Sequence, residues 1–400
     1  MDFELSPAQQ QAQAAFRAFV DRQVAPHADE HDRQQAIPEA LIKDVAARGY
    51  LGGLVPAQYG GAGMDALTWG LLCEEIARGS ASLLSLFTVH SMVVQALIKW
   101  GTDAQRQKWL PRLATGELIG AFGLTEPNVG SDAGHGETTA VQDGGDWVLN
   151  GQKCWSSFGQ IATLMLMTAH VDGKSTTFLV ERKSGVNDGF TSEPIEGMLG
   201  FRSAMLADVH MRNCRVPADQ MIGKIGFGFS HVIGAALDQG RYSIAWGCVG
   251  LAQAGLDASL VYSSERKQFG VFLKEHQLIQ QMLTDMITET RAARLLCLRA
   301  AVLKQQGDPS VIMETSIAKY FASRAAVRIA SDAVQIHGAN GCSDRYPVQR
   351  YLRDAKIMEI IEGSSQMQQI VISKFGYQDY LKRLNAQREQ STALDKEPSA

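Results

Sequence analysis

One glutamate near the end of the chain, Glu362, stands in a setting suited to a general base. It follows the apolar residues Met358, Ile360 and Ile361 and precedes a Gly-Ser-Ser turn typical of a helix start. Burial among aliphatic side chains raises the pKa of a carboxyl group, and the free N–H groups of the next helix can hold a developing oxyanion. The pattern predicts a general base with a raised pKa. An ordinary helix cap that carries an acidic residue would have the same sequence.

A second segment, from Gly123 to Gly134, reads Gly-Leu-Thr-Glu-Pro-Asn-Val-Gly-Ser-Asp-Ala-Gly. Its glycines and its proline fix a tight, exposed backbone path. Hydroxyl and amide groups on such a path can form hydrogen bonds with the polar edge of a planar ring or with a phosphate. The segment is therefore a candidate cofactor loop, with a generic glycine-rich turn as the alternative interpretation.

Four segments together resemble the flavin-dependent acyl-CoA dehydrogenase family. They are Thr-Glu-Pro-x-x-Gly-Ser-Asp at 125–132, Trp-Ser-Ser at 155–157, Arg-Lys-Gln-Phe-Gly at 266–270 and Glu-Gly-Ser-Ser-Gln at 362–366. They occur in the order and approximate spacing of that family, and the likeness covers residues from about 1 to 380. Agreement of four motifs in register is far more specific than any one of them alone.

The resemblance implies an enzyme that dehydrogenates an acyl thioester with FAD as its cofactor. Such a reaction passes the α-proton to a base and the β-hydrogen, as hydride, to flavin N5. The implied base is Glu362, whose backbone N–H would help to polarise the thioester carbonyl. Some members carry the base on an earlier helix, at a position that is Gly240 here, and glycine cannot serve.

The substrate side is implied in the same way. Asp238 and Arg241 resemble residues lining the acyl site, and Gly363 joins them beside the base. A helix-face ion pair between Asp238 and Arg241 is an equally good interpretation of those two residues.

The resemblance also implies the residues around the flavin ring. An aromatic face and short hydroxyl groups suit a planar, hydrogen-bonding heterocycle. Trp155 is expected to stack near the ring and Ser157 to lie close to N5, although Trp155 would also serve as plain core filler. The remaining ring-side and pyrophosphate residues are Phe122, Leu124, Thr125, Ser131, Ser364 and Gln366.

A further group is implied to reach the flavin dinucleotide of a neighbouring subunit, which makes a homodimer or homotetramer obligatory. A guanidinium in this group can pair with pyrophosphate oxygens. The residues are Arg266, Gln268 and Phe269, with Gln335, Gly338 and Ala339 on the adenosine side. The chain departs from the family pattern at Ala339, where glycine is usual, and at Met198, where lysine is common.

Composition narrows the class of protein. The 400 residues are 45% hydrophobic and 20% charged, a globular balance that excludes a disordered or fibrous protein. The formal net charge of -4 gives no basic field, so we expect no nucleic-acid binding. The six cysteines are scattered and the nine histidines form no metal-ligand pattern, which predicts reduced thiols and no metal.

The chain carries no predicted export signal or membrane span. Acidic residues stand near Met1 where a signal peptide would be basic, so we expect a cytoplasmic protein. The longest apolar stretch, Ser82 to Trp100, contains His90, Gln95 and Lys99 and suits a buried core helix.

Periodicity along the chain predicts a fold that is mainly α with a central β domain. Helical spacing dominates residues 1–118, short strands 119–226, and long helices without internal proline 227–383. Asn150-Gly151 between apolar runs predicts a hairpin turn there. Residues 384–400 are polar, which predicts a disordered tail. The resemblance implies the same order, with a helical N-terminal domain, a small β domain and a C-terminal four-helix bundle.

Two short strings, Trp246 to Gly250 and Met358 to Ser365, are similar to a particular branch of the family. That branch works on acyl groups held by an acyl carrier protein in polyketide pathways, notably for hydroxymalonyl or methoxymalonyl extender units. The expected substrate is therefore a short acyl thioester on a carrier protein. The alternatives are a catabolic short-chain acyl-CoA dehydrogenase with an electron-transferring flavoprotein as acceptor, an oxidase, and a non-catalytic flavin-binding homologue.

Overall fold

The computed structural model describes residues 4–182 and 189–394, which fold in chain order as helices, a β-sheet and helices again. This order confirms the predicted fold class, mainly α with a central β domain.

Four of the six N-terminal helices begin where a short polar side chain accepts a hydrogen bond from a backbone N–H group of the first turn. Ser6 and Thr102 form capping boxes with glutamines three residues later at the first and last helices, and Asp65 and Ser80 cap the fourth and fifth. These helices are α1 (Pro7–Phe19), α2 (Ala28–Gln34), α3 (Glu39–Ala47), α4 (Ala66–Gly79), α5 (Ala81–Trp100) and α6 (Asp103–Ala114).

The middle of the chain forms one twisted sheet, in which the strands lie in the order β6-β7-β3-β2-β4-β5-β8. Strand β1 pairs in parallel with β4 and so carries the chain from the helices into the sheet. The strands are β1 (Gly120–Gly123), β2 (Thr139–Asp143), β3 (Asp146–Ser156), β4 (Leu164–Val171), β5 (Lys174–Glu181), β6 (Phe190–Pro194), β7 (Ala207–Pro217) and β8 (Met221–Ile222).

The predicted hairpin turn at Asn150-Gly151 is wrong, because β3 runs straight through these residues. The turn between β2 and β3 is formed by Gly144 and Gly145, which have φ of 59° and 91°. Gly151 marks a shift in register against β7, and a Cβ there would lie 2.4 Å from Thr138 Oγ1. The Asn-Gly pair therefore serves a β-bulge rather than a turn.

The C-terminal part is a bundle of long helices joined at one point by a small hairpin. Its core contains the fully buried Trp246 of the first helix with Met286 and Ile329 of the next two. The elements are α7 (Gly234–Glu265), β9 (Lys267–Gln268), β10 (Val271–Phe272), α8 (Gln277–Gln306), α9 (Val311–His337), α10 (Val348–Ile360) and α11 (Ser365–Leu394).

Helix α11 extends to Leu394, which corrects the predicted disordered tail for residues 384–394. Alanine, glutamine, arginine and glutamate in this stretch are compatible with a helix, and no proline interrupts it. Residues 395–400 of the predicted tail lie outside the described residues.

Two helical stretches, Ala81–Trp100 and Gly228–Glu265, are long and apolar enough to cross a membrane by length and composition. Their most apolar windows are 89% and 72% buried inside the protein. Burial in the core accounts for their composition, and for Ala81–Trp100 it confirms the predicted buried helix.

The N-terminal and C-terminal helices share one hydrophobic core, in which α4 and α5 pack on α7. Trp69 Nε1 donates to Ser243 Oγ at 3.1 Å, and Tyr242 OH donates to the carbonyl of Ala66 at 2.7 Å. These bonds fix the position of α7 against the N-terminal helices. Helix α5 also contacts strand β1, so it touches both α7 and the sheet.

Candidate active site

Glu362 lies in the tight turn that joins α10 to α11, as the sequence predicts. Glu362 and Gly363 have φ of 56° and 86°, so two consecutive residues adopt the left-handed conformation. Glycine adopts that conformation without strain, whereas a glutamate does so only when its surroundings hold it. The Glu362 N–H has no hydrogen-bond partner among the described residues, which leaves a donor beside the carboxylate.

The Glu362 carboxylate lies against the backbone of Gly240 on α7. A Cβ built on Gly240 would be 2.2 Å from Glu362 Oε2 and 3.0 Å from the sulfur of Met92 on α5. Oε2 is enclosed and has no hydrogen-bond partner in the described part of the chain. An enclosed carboxylate oxygen without a donor is free to accept a proton from a bound molecule.

Burial raises the pKa of Glu362 to about 7, against the opposing charges of Arg241 and Lys319. The apolar neighbours differ from those that the sequence predicts. Met358 is fully buried, but the side chain of Ile360 is 56% exposed. The enclosure comes instead from α5 and α7, which sequence reading around position 362 does not show.

Asp238 and Arg241 belong to the same site as the base. Arg241 Nη1 contacts Asp238 Oδ1 at 3.0 Å, and Arg241 Nε donates to the carbonyl of Glu362 at 3.4 Å. Burial raises the pKa of Asp238, while Arg241, Lys304 and Lys99 oppose the shift. The two residues therefore form the helix-face ion pair, and Arg241 also contacts the turn of the base.

Six of the predicted ring-side and pyrophosphate residues lie on or beside the sheet, from Phe122 on β1 to Ser157 just after β3. Phe122 and Leu124 pack against the cluster that contains Met92. The N–H of Cys154 donates to the carbonyl of Thr125 at 2.8 Å, which places the cofactor loop beside the end of β3, next to Trp155. Ser157 is partly buried and Ser131 is exposed on the loop.

A buried ion pair holds this loop in place. Lys153 Nζ donates to Glu126 Oε1 at 2.5 Å and to Thr168 Oγ1 at 3.0 Å. Glu126 also accepts the N–H groups of Glu137 and Thr138. Burial tends to raise the pKa of Glu126, but the Lys153 charge and these donors hold it below its ordinary value.

We expect Lys153→Met to lower the free energy of unfolding by about 3 kcal/mol, because it leaves the Glu126 charge buried without its counter-ion. Urea unfolding followed by circular dichroism measures the change. In the double variant Glu126→Gln/Lys153→Met both charges are gone, so part of the stability should return. Equal losses in the single and double variants would show that charge compensation is not the cause.

Two separate features suit a planar ring that carries a phosphate-bearing tail. Trp155 has φ of 60° at a shift in register, which turns its indole outward so that the side chain is 56% exposed. A cleft of about 250 Å³ at the start of α11 is lined by Arg324, Lys356 and Gln366, and also by Glu359, which pairs with Lys356 at 2.7 Å. The Ser365 Oγ there is buried with no hydrogen-bond partner among the described residues. Helix N-termini with nearby cations bind phosphate groups.

The residues predicted to serve a neighbouring subunit lie at the other end of the bundle. Tyr262 near the end of α7 stacks on His337 at the end of α9, with ring centroids 4.2 Å apart. This brings the hairpin with Phe269, which is 97% exposed, to the same end as Gly338. At about 1.5 Å per residue, that end lies roughly 40 Å along α7 from Gly240. All six predicted residues there are exposed: Arg266, Gln268, Phe269, Gln335, Gly338 and Ala339.

Sequence reasoning missed two residues that contact the turn of the base, Lys319 and Gln368. Lys319 is fully buried on α9 and donates to the carbonyl of Gly363 at 2.9 Å. Gln368 is buried on α11 and donates to the same oxygen at 2.9 Å. A signal exists for Lys319, since a lone charge among the small residues Ala318 and Ala322 is unusual on a buried helix face.

Within residues 4–182 and 189–394, no three His, Cys, Asp or Glu side chains are placed to hold a metal ion. The described residues provide an enclosed carboxylate, a free N–H beside it, and an exposed aromatic side chain, Trp155, near the end of β3.

Comparison with protein-family models gives three matches that follow the order of the fold. Residues 6–117 match the acyl-CoA dehydrogenase N-terminal domain, residues 121–214 the middle domain, and residues 226–376 the C-terminal domain.

Two curated relatives match over almost the whole chain. The probable acyl-CoA dehydrogenase YngJ of Bacillus subtilis is 39% identical over 379 residues, which is 94% of this chain and 99% of that protein. The mitochondrial short-chain specific acyl-CoA dehydrogenase of Rattus norvegicus is 36% identical over 376 residues, covering 92% and 90% of the two chains.

Solved structures agree with these matches. Butyryl-CoA dehydrogenase from Megasphaera elsdenii superposes with a TM-score of 0.89 at 34% identity, over 94% of this chain and 99% of that one. A glutaryl-CoA dehydrogenase from Mycobacterium smegmatis in complex with FADH2 gives 0.86 at 30% identity, over 92% and 94%. The prolyl acyl carrier protein oxidase AnaB gives 0.88 at 28% identity, over 93% and 99%.

Proposed function

The chain belongs to the acyl-CoA dehydrogenase family, a family of FAD-dependent oxidoreductases acting on the CH–CH group, and on that premise we propose that it dehydrogenates a short-chain acyl thioester. The observation that carries this proposal is the Glu362 carboxylate, enclosed against Gly240 with one oxygen unpaired. That oxygen takes the α-proton of the substrate. The neighbouring Glu362 N–H is free to donate to the thioester carbonyl and so to stabilise the charge that develops there.

When bound, FAD supplies the acceptor for the β-hydrogen, which leaves the substrate as hydride. On the same chain as Glu362, the residues that would hold it are Phe122, Leu124, Thr125, Ser131, Trp155, Ser157, Ser364 and Gln366. The six exposed residues at the far end of the bundle, from Arg266 to Ala339, lie roughly 40 Å from Gly240. They would contact the FAD bound to a second copy of the chain. We therefore propose a homodimer or homotetramer in which each site borrows residues from a partner.

The packing of α5 on α7 supports a short acyl group. Gly247 lies two helical turns beyond Gly240 on the same face of α7, about 10 Å away. A Cβ on Gly247 would come 2.1 Å from Leu84 Cδ2, so α5 and α7 are in contact at that point. A chain running past Met92 between the two helices would meet Leu84 after a few carbons. The names of the rat and Megasphaera proteins, a short-chain specific acyl-CoA dehydrogenase and a butyryl-CoA dehydrogenase, agree with this limit.

A carrier protein as the donor of the thioester is the second candidate. It is favoured by the two strings similar to the carrier-protein branch and by the likeness to AnaB, named a prolyl acyl carrier protein oxidase. The polyketide extender-unit role is the more specific form of this candidate. Coenzyme A and the carrier present the same phosphopantetheine arm to the base, so the site chemistry is common to both. An electron-transferring flavoprotein is the proposed acceptor for the CoA-dependent enzyme.

Matched thioesters separate the candidates. The FAD-loaded protein is mixed anaerobically with butyryl-CoA, butyryl carrier protein, and dodecanoyl-CoA, and the loss of flavin absorbance is followed. We expect rapid bleaching by butyryl-CoA and little by dodecanoyl-CoA. Bleaching that is faster with the carrier thioester would support the second candidate, and peroxide release in air would identify an oxidase. No bleaching by any thioester would overturn the proposed function.

The pH dependence of the reaction should follow the base. Because Glu362 must be ionised to accept a proton and its pKa is raised to about 7, activity is lost as the pH falls through that value. We expect kcat/KM for butyryl-CoA to rise about tenfold per pH unit below pH 7 and to level off above it. Stopped-flow rates at a series of pH values measure this rise in kcat/KM and the pH at which it levels off. If kcat/KM instead levelled off near the ordinary pKa of a glutamate, the enclosure of Glu362 described above would be contradicted.

A further inference from the structure

Three side chains from three helices hold the carbonyl oxygens of the turn that carries Glu362. Arg241 on α7 donates to the Glu362 carbonyl at 3.4 Å. Lys319 on α9 donates to the Gly363 carbonyl at 2.9 Å. Gln368 on α11 donates to both, at 3.2 Å and 2.9 Å. We call Arg241, Lys319 and Gln368 the carbonyl clamp.

The turn needs such a clamp because of its backbone. A glutamate followed by a glycine, both left-handed, is not a conformation that the local sequence favours. Residues in strained conformations persist only when the surrounding structure over-determines them. The clamp satisfies the two carbonyls and uses no atom of the carboxylate, so Glu362 Oε2 is left unpaired against Gly240.

Lys319 brings a positive charge to this turn at a place where lysine is rarely found. Its side chain is fully buried, and its other hydrogen bond reaches the carbonyl of Glu359 at 3.4 Å. Burial lowers the pKa of Lys319 to about 8, against the opposing effects of Cys248, Glu362 and Glu359. A buried lysine with only carbonyl partners is costly to the fold, which indicates that its charge has a use.

We propose that Lys319 and Gln368 are positioning residues for the base: both fix the Glu362-Gly363 turn through its carbonyls, and the Lys319 charge favours the ionised form of the Glu362 carboxylate. This inference rests on the proposed function only for the role of Glu362. The ionisable groups facing the pair are Arg241 and Cys248 on α7 and Glu359 on α10, while Gln368 on α11 carries no charge.

The two residues should therefore differ in one measurable respect. A nearby positive charge favours the ionised form of a carboxyl group, so removing the Lys319 charge raises the pKa of Glu362. Removing Gln368 loosens the turn but leaves the charge in place. Both changes should slow the reaction, and only the first should move its pH dependence.

The test compares Lys319→Met and Gln368→Leu with the exposed control Lys43→Met, each loaded with FAD. The pH midpoint of Glu362 is read from its infrared carboxyl band, which is assigned by its absence in Glu362→Gln. We expect a rise of about one pH unit in Lys319→Met and none in the other two variants. An unmoved midpoint in Lys319→Met, or an equal rise in Gln368→Leu, overturns the role of the charge.

Stopped-flow reduction by butyryl-CoA tests the positioning role at a pH above both midpoints. Lys319→Met and Gln368→Leu should lower the limiting rate by about tenfold or more with KM little changed, and Lys43→Met should not. If both Lys319→Met and Gln368→Leu reduce the flavin at the wild-type limiting rate, the positioning role is overturned. If Lys319→Met does not fold, Lys319→Gln keeps a donor without the charge and must show the same infrared shift. The infrared titration needs no substrate. It therefore still tests the effect of the Lys319 charge on Glu362 if no thioester reduces the wild-type flavin.

Discussion

Glu362→Gln is expected to leave FAD bound and to lower the rate of thioester-driven flavin reduction by on the order of 10²–10⁴ or more. The amide has nearly the same shape as the carboxylate but cannot accept the α-proton. Oε2 has no hydrogen-bond partner among the described residues, so no native bond is lost there and the fold should keep its stability. Flavin absorbance after purification measures the bound cofactor, and anaerobic stopped-flow measures the rate.

The control for this variant is Glu39→Gln, which removes one charge from an exposed glutamate on α3. It should match the wild-type protein in both measurements. An unchanged rate in Glu362→Gln would refute the assignment of the base. If the wild-type protein binds FAD but reduces it with no thioester, the alternative of a non-catalytic flavin-binding homologue would be supported instead.

Gly240→Ala is expected to lower the same rate by about 100-fold without destabilising the protein. The new methyl group would lie 2.2 Å from Glu362 Oε2, so the carboxylate has to move away from the position in which it can reach the substrate. A misplacement of about 1 Å is enough for a loss of that size. The atoms in its way are the ends of the flexible Glu362 and Met92 side chains, which can move cheaply.

Stability should even increase in this variant, because alanine is favoured over glycine inside a helix by about 1 kcal/mol. The matched control is Gly376→Ala on α11, where a Cβ would meet nothing within 4 Å. It should gain a similar stability in thermal unfolding and keep the full rate. A wild-type rate in Gly240→Ala would show that the carboxylate does not occupy the position beside Gly240 when it reacts.

The contact between Gly240 and Glu362 bears on the alternative position for the base that the family resemblance implies. Any side chain at 240 occupies the space that the carboxylate of Glu362 fills here. The sequence shows only that glycine at 240 cannot act as a base. The structure adds that glycine at 240 leaves the space in which the Glu362 carboxylate lies.

The Asn150-Gly151 pair shows where local patterns mislead. The same two residues that favour a hairpin turn also suit a β-bulge, because both tolerate unusual backbone angles. Which of the two forms depends on the partner strand. Here the N–H of Asn213 on β7 donates to Asn150 Oδ1 at 2.8 Å, and the chain continues straight. No pattern within ten residues of Asn150 contains that information.

The sequence by itself determined the order of helices, sheet and helices, the family, and the identity of the candidate base. Helix and strand patterns depend on neighbours a few residues apart, and the family motifs are short strings, so both can be read along the chain. Only the tertiary structure decided what surrounds Glu362, since its pKa depends on burial under α5 and α7 and on charges from Arg241 and Lys319. Desolvation and Coulomb interactions act through space, and they join residues whose separation along the chain carries no signal.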